Sequence, residues 1–275
     1  ARTLKAVADQ ASPMLMVATR SLVALLLLAA LMRHRGEALS PPHVKPGLAV
    51  GSLFALEYLL VSEALTLTHA SHVVVFLYTA PIFAALGLHW RLAAERLTAM
   101  QWVGIALAFG GISLAFLGGL GTTAGPTHRH ALWGDALALM AGAAWGATTV
   151  TIRCTALARA PATEMLMYQL LGAFALLLPA AWLTGRWQFE ASAHVWAHLA
   201  FQSLVVSFAS FLTWCWLLRR YLASQLGVFS FLTPLFGVVL GVWLLNESLE
   251  RSFIVGSCLV LCGIGLVSNH AAILQ

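Results

Sequence analysis

Charged residues are scarce in this chain: 9% of its 275 residues are Asp, Glu, Lys or Arg, whereas 60% are hydrophobic. So few charges cannot solvate the outside of a water-soluble domain of this size. The four cysteines, Cys154, Cys215, Cys258 and Cys262, fall in apolar segments without metal-ligand spacing. We therefore expect neither a disulfide framework nor a metal site, and composition predicts an integral membrane protein.

Short motifs that carry catalytic chemistry are also missing. The sequence has no phosphate-binding P-loop, no HExxH zinc motif and no GxSxG nucleophile elbow. ATP-driven pumping and membrane hydrolysis therefore find no support, and we expect no enzyme activity and no cofactor. The 15 Lys and Arg residues exceed the 10 Asp and Glu residues because basic loops orient membrane proteins, so no nucleic-acid partner is expected.

What the sequence does contain is long apolar stretches. A membrane-spanning helix needs about 20 such residues. Proline and glycine mark most of the gaps between the stretches, for example at Ser40-Pro41-Pro42 and at Ala160-Pro161. The predicted spans run about 13–32, 46–67, 70–90, 97–117, 131–152, 162–183, 195–218, 222–245 and 253–268.

A fourteen-residue pattern occurs twice, which indicates an internal duplication. Its Ala-Ser, Val-Phe, Pro and Phe residues keep the same spacing from Ala70 to Phe83 and from Ala223 to Phe236. A second string, Gly-x-x-Leu-x-x-x-Gly-Ile, follows the two copies and begins at Gly104 and at Gly256. Duplicated membrane domains are the usual build of secondary transporters, so the repeat indicates function as well as fold.

The repeat predicts ten spans rather than nine. Met165-Leu166-Met167 matches Met14-Leu15-Met16, but a full span precedes only the second copy. We therefore expect that most of helix 1 is missing from the sequence and that the fold is an all-α membrane protein of ten helices. Five spans per half would orient the halves oppositely, as an inverted repeat. The predicted halves are 1–119 and 131–270, joined by a loop at 120–130.

Basic residues in the predicted loops lie mainly on the side of the C-terminus. The opposite loops carry Arg129, Arg186 and Arg251, with Arg2 and Lys5 near them. The positive-inside rule then places the C-terminus in the cytoplasm, and we expect a multi-pass protein of the bacterial inner membrane. The basic residues on the C-terminal side are Arg33, Arg35, Lys45, Arg91, Arg96, Arg153, Arg159, Arg219 and Arg220.

Over essentially its whole length the chain resembles the drug/metabolite transporter superfamily, specifically its EamA-type ten-helix carriers. The resemblance rests on Arg20 within Ala-Thr-Arg-Ser-Leu, on the Pro81 and Pro234 helices, and on Glu95-Arg96-Leu97-Thr98 with its echo Glu247-Ser248-Leu249. It implies a central cavity lined by spans one to four and six to nine. Members of this family move amino acids, sugars, nucleotide sugars and other small metabolites.

We therefore expect a secondary transporter that exports small metabolites by alternating access, with neutral or aromatic amino acids as the first candidates. Multidrug or lipophilic-cation efflux and transport of sugars or nucleotide sugars are the alternatives. A membrane enzyme or a structural subunit is the alternative from a different class. The expected partners are a small-molecule substrate and the lipid bilayer. Protons are a candidate coupling ion, and we expect a monomer.

Several polar and aromatic side chains fall inside the predicted spans, where ionisable groups are costly. Trp145 could stack on an aromatic or apolar substrate, or pack beside Gly142 and Gly146. Glu57 could bind a substrate amine or titrate with a coupling proton, or be protonated and hydrogen-bonded within the bundle. Further candidates for a substrate cavity are Tyr78, His72, Tyr168, Gln169 and Gln202.

Arg20 and Glu63 lie at similar depth on neighbouring spans, and we predict a structural ion pair, with binding of a substrate carboxylate as the alternative. Pro81 and Pro234 each remove a backbone hydrogen bond from the middle of a predicted helix. Because they occupy equivalent places in the two halves, they are predicted to bend and so open the cavity to alternate sides. A static kink that only shapes the packing is the alternative.

Overall fold

The computed structural model describes residues 11–117, 128–236, 239 and 251–272. Within these ranges the chain is helical, without strands, and one isolated antiparallel bridge joins Ala11 to Phe189. The prediction of an all-α membrane fold is confirmed. The α-helices are α1 (Pro13–Arg35), α2 (Pro41–Leu67), α3 (Ala70–Leu77), α4 (Ala80–Arg91), α5 (Ala99–Leu117), α6 (His128–Cys154), α7 (Ala162–Leu183), α8 (Ala193–Phe201), α9 (Phe211–Arg220), α10 (Ala223–Ser230) and α11 (Arg251–Ala272).

Each of the nine predicted spans contains an apolar helix. In the described part of the chain, six helical segments are long and apolar enough to cross a membrane. They are Pro13–Arg35, Pro41–Leu67, His72–Arg91, His130–Cys154, Ala162–Leu183 and Ala193–Arg220. Shorter apolar helices at Ala99–Ala115, Ala223–Phe236 and Ile254–Val267 account for the other three. The expected remnant of helix 1 lies outside the described residues, so the count of ten stays a prediction.

One span contains a π-helical stretch, and 3₁₀ turns lie between spans. The segment Gln202–Ser210 is π-helical and joins α8 to α9 without a break. Short 3₁₀ turns at Ala93–Glu95 and Ala156–Arg159 follow the ends of α4 and α6.

Near the ends of the spans, tryptophan side chains such as Trp90 are exposed, as an aromatic belt at the membrane surface requires.

The helices gather into two compact units, and each unit takes residues from both sequence halves. Unit 1 comprises Ala1–Ser62 and Thr151–Arg220, and unit 2 comprises Glu63–Val150 and Tyr221–Gln275. Helices α2 and α6 contribute residues to both units. The spatial units therefore differ from the repeats in the sequence, and most of the predicted linker at 120–130 lies outside the described residues.

In unit 2, the repeated glycine string forms the contact between α5 and α11. A Cβ atom on Gly104 would lie 2.8 Å from the carbonyl oxygen of Gly263, and one on Gly111 would lie 2.5 Å from that of Gly256. Only glycine permits backbones to approach this closely. The pairing of the first glycine of each string with the last of the other means that these equivalent helices run antiparallel. This is the relation that an inverted repeat requires.

In unit 1, α1 and α7 are also equivalent in the repeat and also pack against each other. Met14 and Ala18 near the start of α1 pack with Ala173 and Leu177 in the second half of α7. At the other end, the hydroxyl of Thr163 donates to Glu37. These two helices therefore run antiparallel as well.

Helix α2 joins the α1–α7 pair through a glycine contact and a buried carboxylate. A Cβ atom on Gly172 would collide with the backbone of Gly51. The carboxylate of Glu164, which is fully buried, accepts a hydrogen bond from the backbone N–H of Ser40 at 2.8 Å and lies 2.9 Å from Nδ1 of His43. These contacts fix the start of α2 against the start of α7.

Candidate functional site

Arg20 is a charged side chain inside a membrane-spanning helix, and it is only 8% exposed. Its Nη1 donates to Oε1 of Gln202 at 2.5 Å, and its guanidinium carbon lies 5.1 Å from the centre of the Tyr58 ring. Its Nε has no hydrogen-bond partner among the described residues. Arg20 is thus held by a neutral amide and an aromatic ring, and it retains an unused charged donor.

Glu57 on α2 is the second buried ionisable group of unit 1. It is 8% exposed, and its Oε2 atom accepts no hydrogen bond from the described part of the chain. Unit 1 therefore buries two ionisable groups, and each has hydrogen-bonding capacity to spare.

The π-helical segment supplies the polar partner of Arg20. Gln202 begins this segment, and its amide nitrogen also lies 3.3 Å from Nε2 of His198. Ser207, one π-turn further along, is fully buried, and its hydroxyl has no partner among the described residues. π-Helical turns inside α-helices are frequent at functional sites. The segment therefore marks this part of unit 1 as a candidate site.

Aromatic rings surround the same arginine. Phe54 packs edge-on against Tyr58 and Phe211, with ring centres 5.0 and 5.6 Å apart. The guanidinium carbon of Arg20 lies 6.0 Å from the centre of the Phe211 ring. Cations are attracted to aromatic faces at these distances. The rings accommodate the buried charge and also present apolar surface beside it.

Tyr168 and Gln169 lie buried on α7 in the same unit. The ring of Tyr168 fills the space beside Gly47 of α2, and its hydroxyl has no hydrogen-bond partner in the described ranges. Gln169 is 5% exposed. Unit 1 thus contains Glu57, Tyr168, Gln169 and Gln202 of the predicted cavity residues, and their role in substrate binding stays a prediction.

Both repeat prolines follow interruptions of a helix in unit 2. Helix α3 ends at Leu77, and Pro81 lies in the first turn of α4. Helix α10 ends at Ser230, a turn follows at Phe231, and the chain is helical again through Pro234. Each interruption thus lies about three residues before the proline. Because proline has no backbone N–H, a carbonyl group in the preceding turn is left without a donor there. Bending during transport stays a prediction for both.

Hydroxyl groups supply donors at both interruptions. Thr79 Oγ1 donates to the carbonyl oxygen of Phe76 at 2.6 Å, and Ser230 Oγ donates to that of Gly227, also at 2.6 Å. The carbonyl groups that the prolines leave without a donor lie four residues earlier, on Leu77 and Ser230, so these hydroxyl bonds lie beside them. Each interruption thus has a bond from a hydroxyl group to a backbone carbonyl group in the turn before the proline.

Tyr78 lies at the first interruption and contacts two other rings of unit 2. Its ring centre is 6.1 Å from that of Phe231, which marks the second interruption, and 5.8 Å from that of Trp145. Glycines on both sides of Trp145 bring α6 close to α3 and α4: Cβ atoms on Gly142 and Gly146 would lie 2.5 Å from Thr79 Oγ1 and 2.6 Å from the Cβ of Phe83. Tyr78 and Trp145 are thus neighbours, and their role in substrate binding stays a prediction.

His72 has an acidic partner that the sequence did not indicate. Its Nδ1 lies 3.0 Å from Oδ2 of Asp135, and Oδ1 of the same carboxylate accepts a hydrogen bond from Thr68 at 2.8 Å. His72 therefore ties α3 to α6, and its place in a cavity stays a prediction. Glu63 belongs to unit 2 and Arg20 to unit 1, so the predicted ion pair between them also stays a prediction.

A buried carboxylate also fixes the start of α10. Glu95 is 1% exposed and accepts hydrogen bonds from the N–H groups of Ala223 and Ser224 at 3.0 and 3.2 Å and from the Ser224 hydroxyl at 2.8 Å. A carboxylate here satisfies the free N–H groups of the first helical turn and the positive end of the helix dipole. The resemblance included Glu95 as a motif residue, and the structure shows what it binds.

The fold has many apolar helices, two of which are interrupted before the repeated prolines, and it buries ionisable groups inside the spans. These features define a multi-pass membrane transporter. The chain belongs to the EamA-like transporter family, whose model matches residues 3–117 and again residues 132–269. The family resemblance predicted from the sequence is confirmed.

Relatives in Bacillus subtilis (strain 168) agree with this assignment. The uncharacterized transporter YoaV is 22% identical over 245 residues, which cover 87% of this chain and 80% of that protein. The uncharacterized transporter YvbV is 26% identical over 270 residues, covering 97% and 86% respectively. A solved crystal structure superposes with a TM-score of 0.80 at 20% identity, over 93% of this chain and 88% of the other, which shows the fold.

Proposed function

We propose that this transporter exports neutral or aromatic amino acids across the bacterial inner membrane by alternating access. Transport follows from the family, and the substrate class rests on one observation in unit 1. Arg20 Nε is a buried donor and Glu57 Oε2 is an oxygen of a buried carboxyl group, and neither atom has a hydrogen-bond partner among the described protein atoms.

An amino acid has the complementary pair of charges. Its carboxylate could accept from the Arg20 guanidinium, and its ammonium group could donate to the Glu57 carboxylate. Buried charges without partners are costly, and charge-assisted hydrogen bonds to a ligand would offset that cost. Sugars lack both charges, and a nucleotide sugar brings two negative charges to a site with a single arginine.

The aromatic surroundings favour an apolar side chain on the substrate. Phe54, Tyr58 and Phe211 lie around Arg20 in unit 1, and Tyr78 and Trp145 form a second aromatic group in unit 2. Aromatic faces bind apolar and aromatic groups through dispersion and stacking. Alternating access is supported by the antiparallel equivalent helices and by the paired interruptions before Pro81 and Pro234.

Counterflow in proteoliposomes tests this proposal. Purified protein should exchange labelled phenylalanine or leucine for the unlabelled amino acid, and should exchange labelled sugars and organic cations much less. Arg20→Gln should abolish exchange of amino acids because it removes the charge that pairs with their carboxylate. Lys45→Gln, which removes a charge from an exposed side chain, serves as the control. If sugars or organic cations are exchanged and amino acids are not, the substrate proposal is wrong.

Efflux of lipophilic cations is a second candidate, because the unsatisfied Glu57 Oε2 could also pair with an organic cation. The two candidates differ in their dependence on arginine. Export of amino acids needs both charged groups, whereas export of cations needs only the carboxylate. Transport of a cation that survives Arg20→Gln and is lost in Glu57→Gln would favour the second candidate.

Coupling to protons is proposed for Glu57, which is buried beside Arg20 and Tyr58. If Glu57 carries the coupling proton, a pH gradient should accelerate amino-acid export by the wild type, and Glu57→Gln should remove this acceleration. Exchange by Glu57→Gln without a gradient should also fall, because the amide no longer pairs with the substrate ammonium group, so the acceleration by the gradient is compared with the rate of each protein at equal pH. Measurement of transport with and without an imposed pH gradient separates the two effects. Equal acceleration of wild type and Glu57→Gln would show that another group, or none, couples the proton.

We also propose that the C-terminus faces the cytoplasm of a bacterial inner-membrane protein. The described arginines at the ends of α1 and α9, Arg33, Arg35, Arg219 and Arg220, support this orientation.

A further inference from the structure

A cavity of about 470 Å³ lies in unit 1, where α1 and α9 end and α7 begins. Its volume falls within the range of about 300–1,000 Å³ that is typical of small-molecule sites. The residues of its lining that bear on its chemistry are Arg35, Glu37, Thr163, Leu212, Trp216 and Arg219. None of them belongs to the Arg20–Glu57 site.

The charges of the lining favour an anion. Arg35 lies 3.9 Å from Glu37, and Thr163 also donates to the Glu37 carboxylate, so this acidic group is already engaged. Arg219 has no ion-pair partner among the described residues. Two guanidinium groups and one carboxylate leave one net positive charge, and the guanidinium groups match the geometry of a phosphate.

One wall of the cavity is apolar and reaches the exposed surface of α9. Trp216 is 41% exposed, and Leu212 lies one helical turn before it on α9. The guanidinium carbon of Arg220 lies 4.7 Å from the centre of the Trp216 ring, so a further cation stands beside the cavity. Tryptophan with arginine at the end of a span is typical of the headgroup level of a bilayer.

We propose that this cavity binds the phosphate headgroup of an anionic phospholipid, with Arg35 and Arg219 on the phosphate and an acyl chain along Leu212 and Trp216. A water-soluble anion would gain nothing from the exposed apolar wall, whereas a phospholipid would use both surfaces. Basic pockets between helices on the cytoplasmic side are known to suit anionic headgroups. The headgroup would bridge the ends of α1 and α9 and thereby hold them together.

Binding can be measured by native mass spectrometry and thermal unfolding of the full chain in a neutral detergent. Phosphatidylglycerol should bind more tightly than phosphatidylcholine with the same acyl chains, and it should raise the unfolding temperature more, since a ligand of the folded state stabilises it. The double variant Arg35→Gln/Arg219→Gln should weaken the binding of phosphatidylglycerol by about tenfold or more, because it removes two charge-assisted contacts.

Two further variants separate the site from general effects of charge and folding. Arg96→Gln removes an exposed arginine that is predicted on the same side of the membrane, outside the cavity, and should leave lipid binding unchanged. Thr213→Trp adds bulk at an exposed position of the lining without changing its charge, and should also weaken binding. It provides the test if the arginine variants fold poorly.

The proposal is overturned if phosphatidylcholine binds as tightly as phosphatidylglycerol, or if neither the double variant nor Thr213→Trp weakens binding. Soluble glycerol 1-phosphate distinguishes the source of the phosphate. Failure of glycerol 1-phosphate to compete at concentrations well above those of the lipid supports a phospholipid site. Competition at concentrations similar to those of the lipid would instead show a site for a water-borne anion.

Discussion

Arg20 combines three functions in one side chain: it donates to Gln202, lies against aromatic rings, and keeps a free donor on Nε. A guanidinium group can do this because its five donors have a fixed planar geometry. An ammonium group carries the same charge but has no planar surface to stack and no second nitrogen. The arrangement therefore depends on the shape of arginine as well as on its charge.

Arg20→Lys should consequently reduce amino-acid transport although the charge is kept. We expect a decrease of about tenfold in kcat/KM, which corresponds to about 1.4 kcal/mol, mainly through a higher KM. Initial rates in proteoliposomes at graded substrate concentrations measure both constants. Lys45→Arg, the reverse exchange at an exposed position, is the control. Kinetics of Arg20→Lys equal to those of the wild type would contradict a role for the guanidinium shape.

At the scale of helices, a carboxylate and a close glycine contact connect elements of unit 2. Glu95 binds the first turn of α10, and Gly227 on the same helix lies so close to α4 that an added Cβ would be 3.1 Å from that of Pro81. The two proline-containing elements are therefore in contact beside their interruptions.

Glu95→Gln should destabilise the protein because an amide has one acceptor oxygen where the carboxylate has two. Glu95 accepts three hydrogen bonds, and loss of a buried one costs about 1–3 kcal/mol. Thermal unfolding in detergent should show a lower unfolding temperature for Glu95→Gln. Glu190→Gln, which changes an exposed carboxylate in the same way, should leave it unchanged. Equal unfolding temperatures for the two variants would mean that the contact at α10 contributes little.

Pro81→Ala and Pro234→Ala should lower turnover more than substrate affinity. Alanine restores the missing N–H group and allows a continuous helix, so bending at the interruption becomes less favourable. Transport kinetics should show a reduced kcat with KM nearly unchanged. Pro179→Ala is the matched control, because Pro179 lies within α7, which continues past it without interruption. If both variants keep the turnover of the wild type, the prolines do not act as bending points and only shape the packing of a static kink.

At the scale of the whole molecule, the order of the spans could be read from the sequence, but the assembly of the helices could not. Hydrophobic length located each of the nine spans, and the spacing of Pro81 and Pro234 indicated paired irregularities. The contact of Arg20 with Gln202 joins residues 182 positions apart. Gln202 begins a π-helical segment, which the pattern of apolar residues does not predict. The partners of Glu95 and His72 were hidden for the same reason, because packing alone brings them together.

The second repeated string had a physical meaning that the sequence alone did not reveal. Its glycines were recognised as shared by the two halves, but their pairing across α5 and α11 appears only in the structure. The sequence halves also gave no sign that each spatial unit takes helices from both of them. Repeats show which elements are equivalent, whereas close packing decides which of them touch.

Neighbouring glycines provide a sharp test of this helix contact. Gly111→Ala should lower stability by about 1–3 kcal/mol, because the added Cβ would lie 2.5 Å from the Gly256 carbonyl oxygen and the helices must separate. Gly110→Ala, one residue earlier, meets nothing within 4 Å and should leave stability unchanged or slightly improve it. Thermal unfolding of the two variants compares them directly. Similar behaviour of both would contradict the close approach of α5 and α11.

The composition of the two units has a consequence for biosynthesis. Unit 1 needs the segment Thr151–Arg220, and unit 2 needs the segment that begins at Tyr221. As the ribosome proceeds from the N-terminus, the helices of the first half enter the membrane before either unit can close. Unit 1 can be completed once Arg220 has been made, whereas α5 must wait for α11, the last described helix. Until then the glycine face of α5 lacks the helix against which it packs in the folded protein.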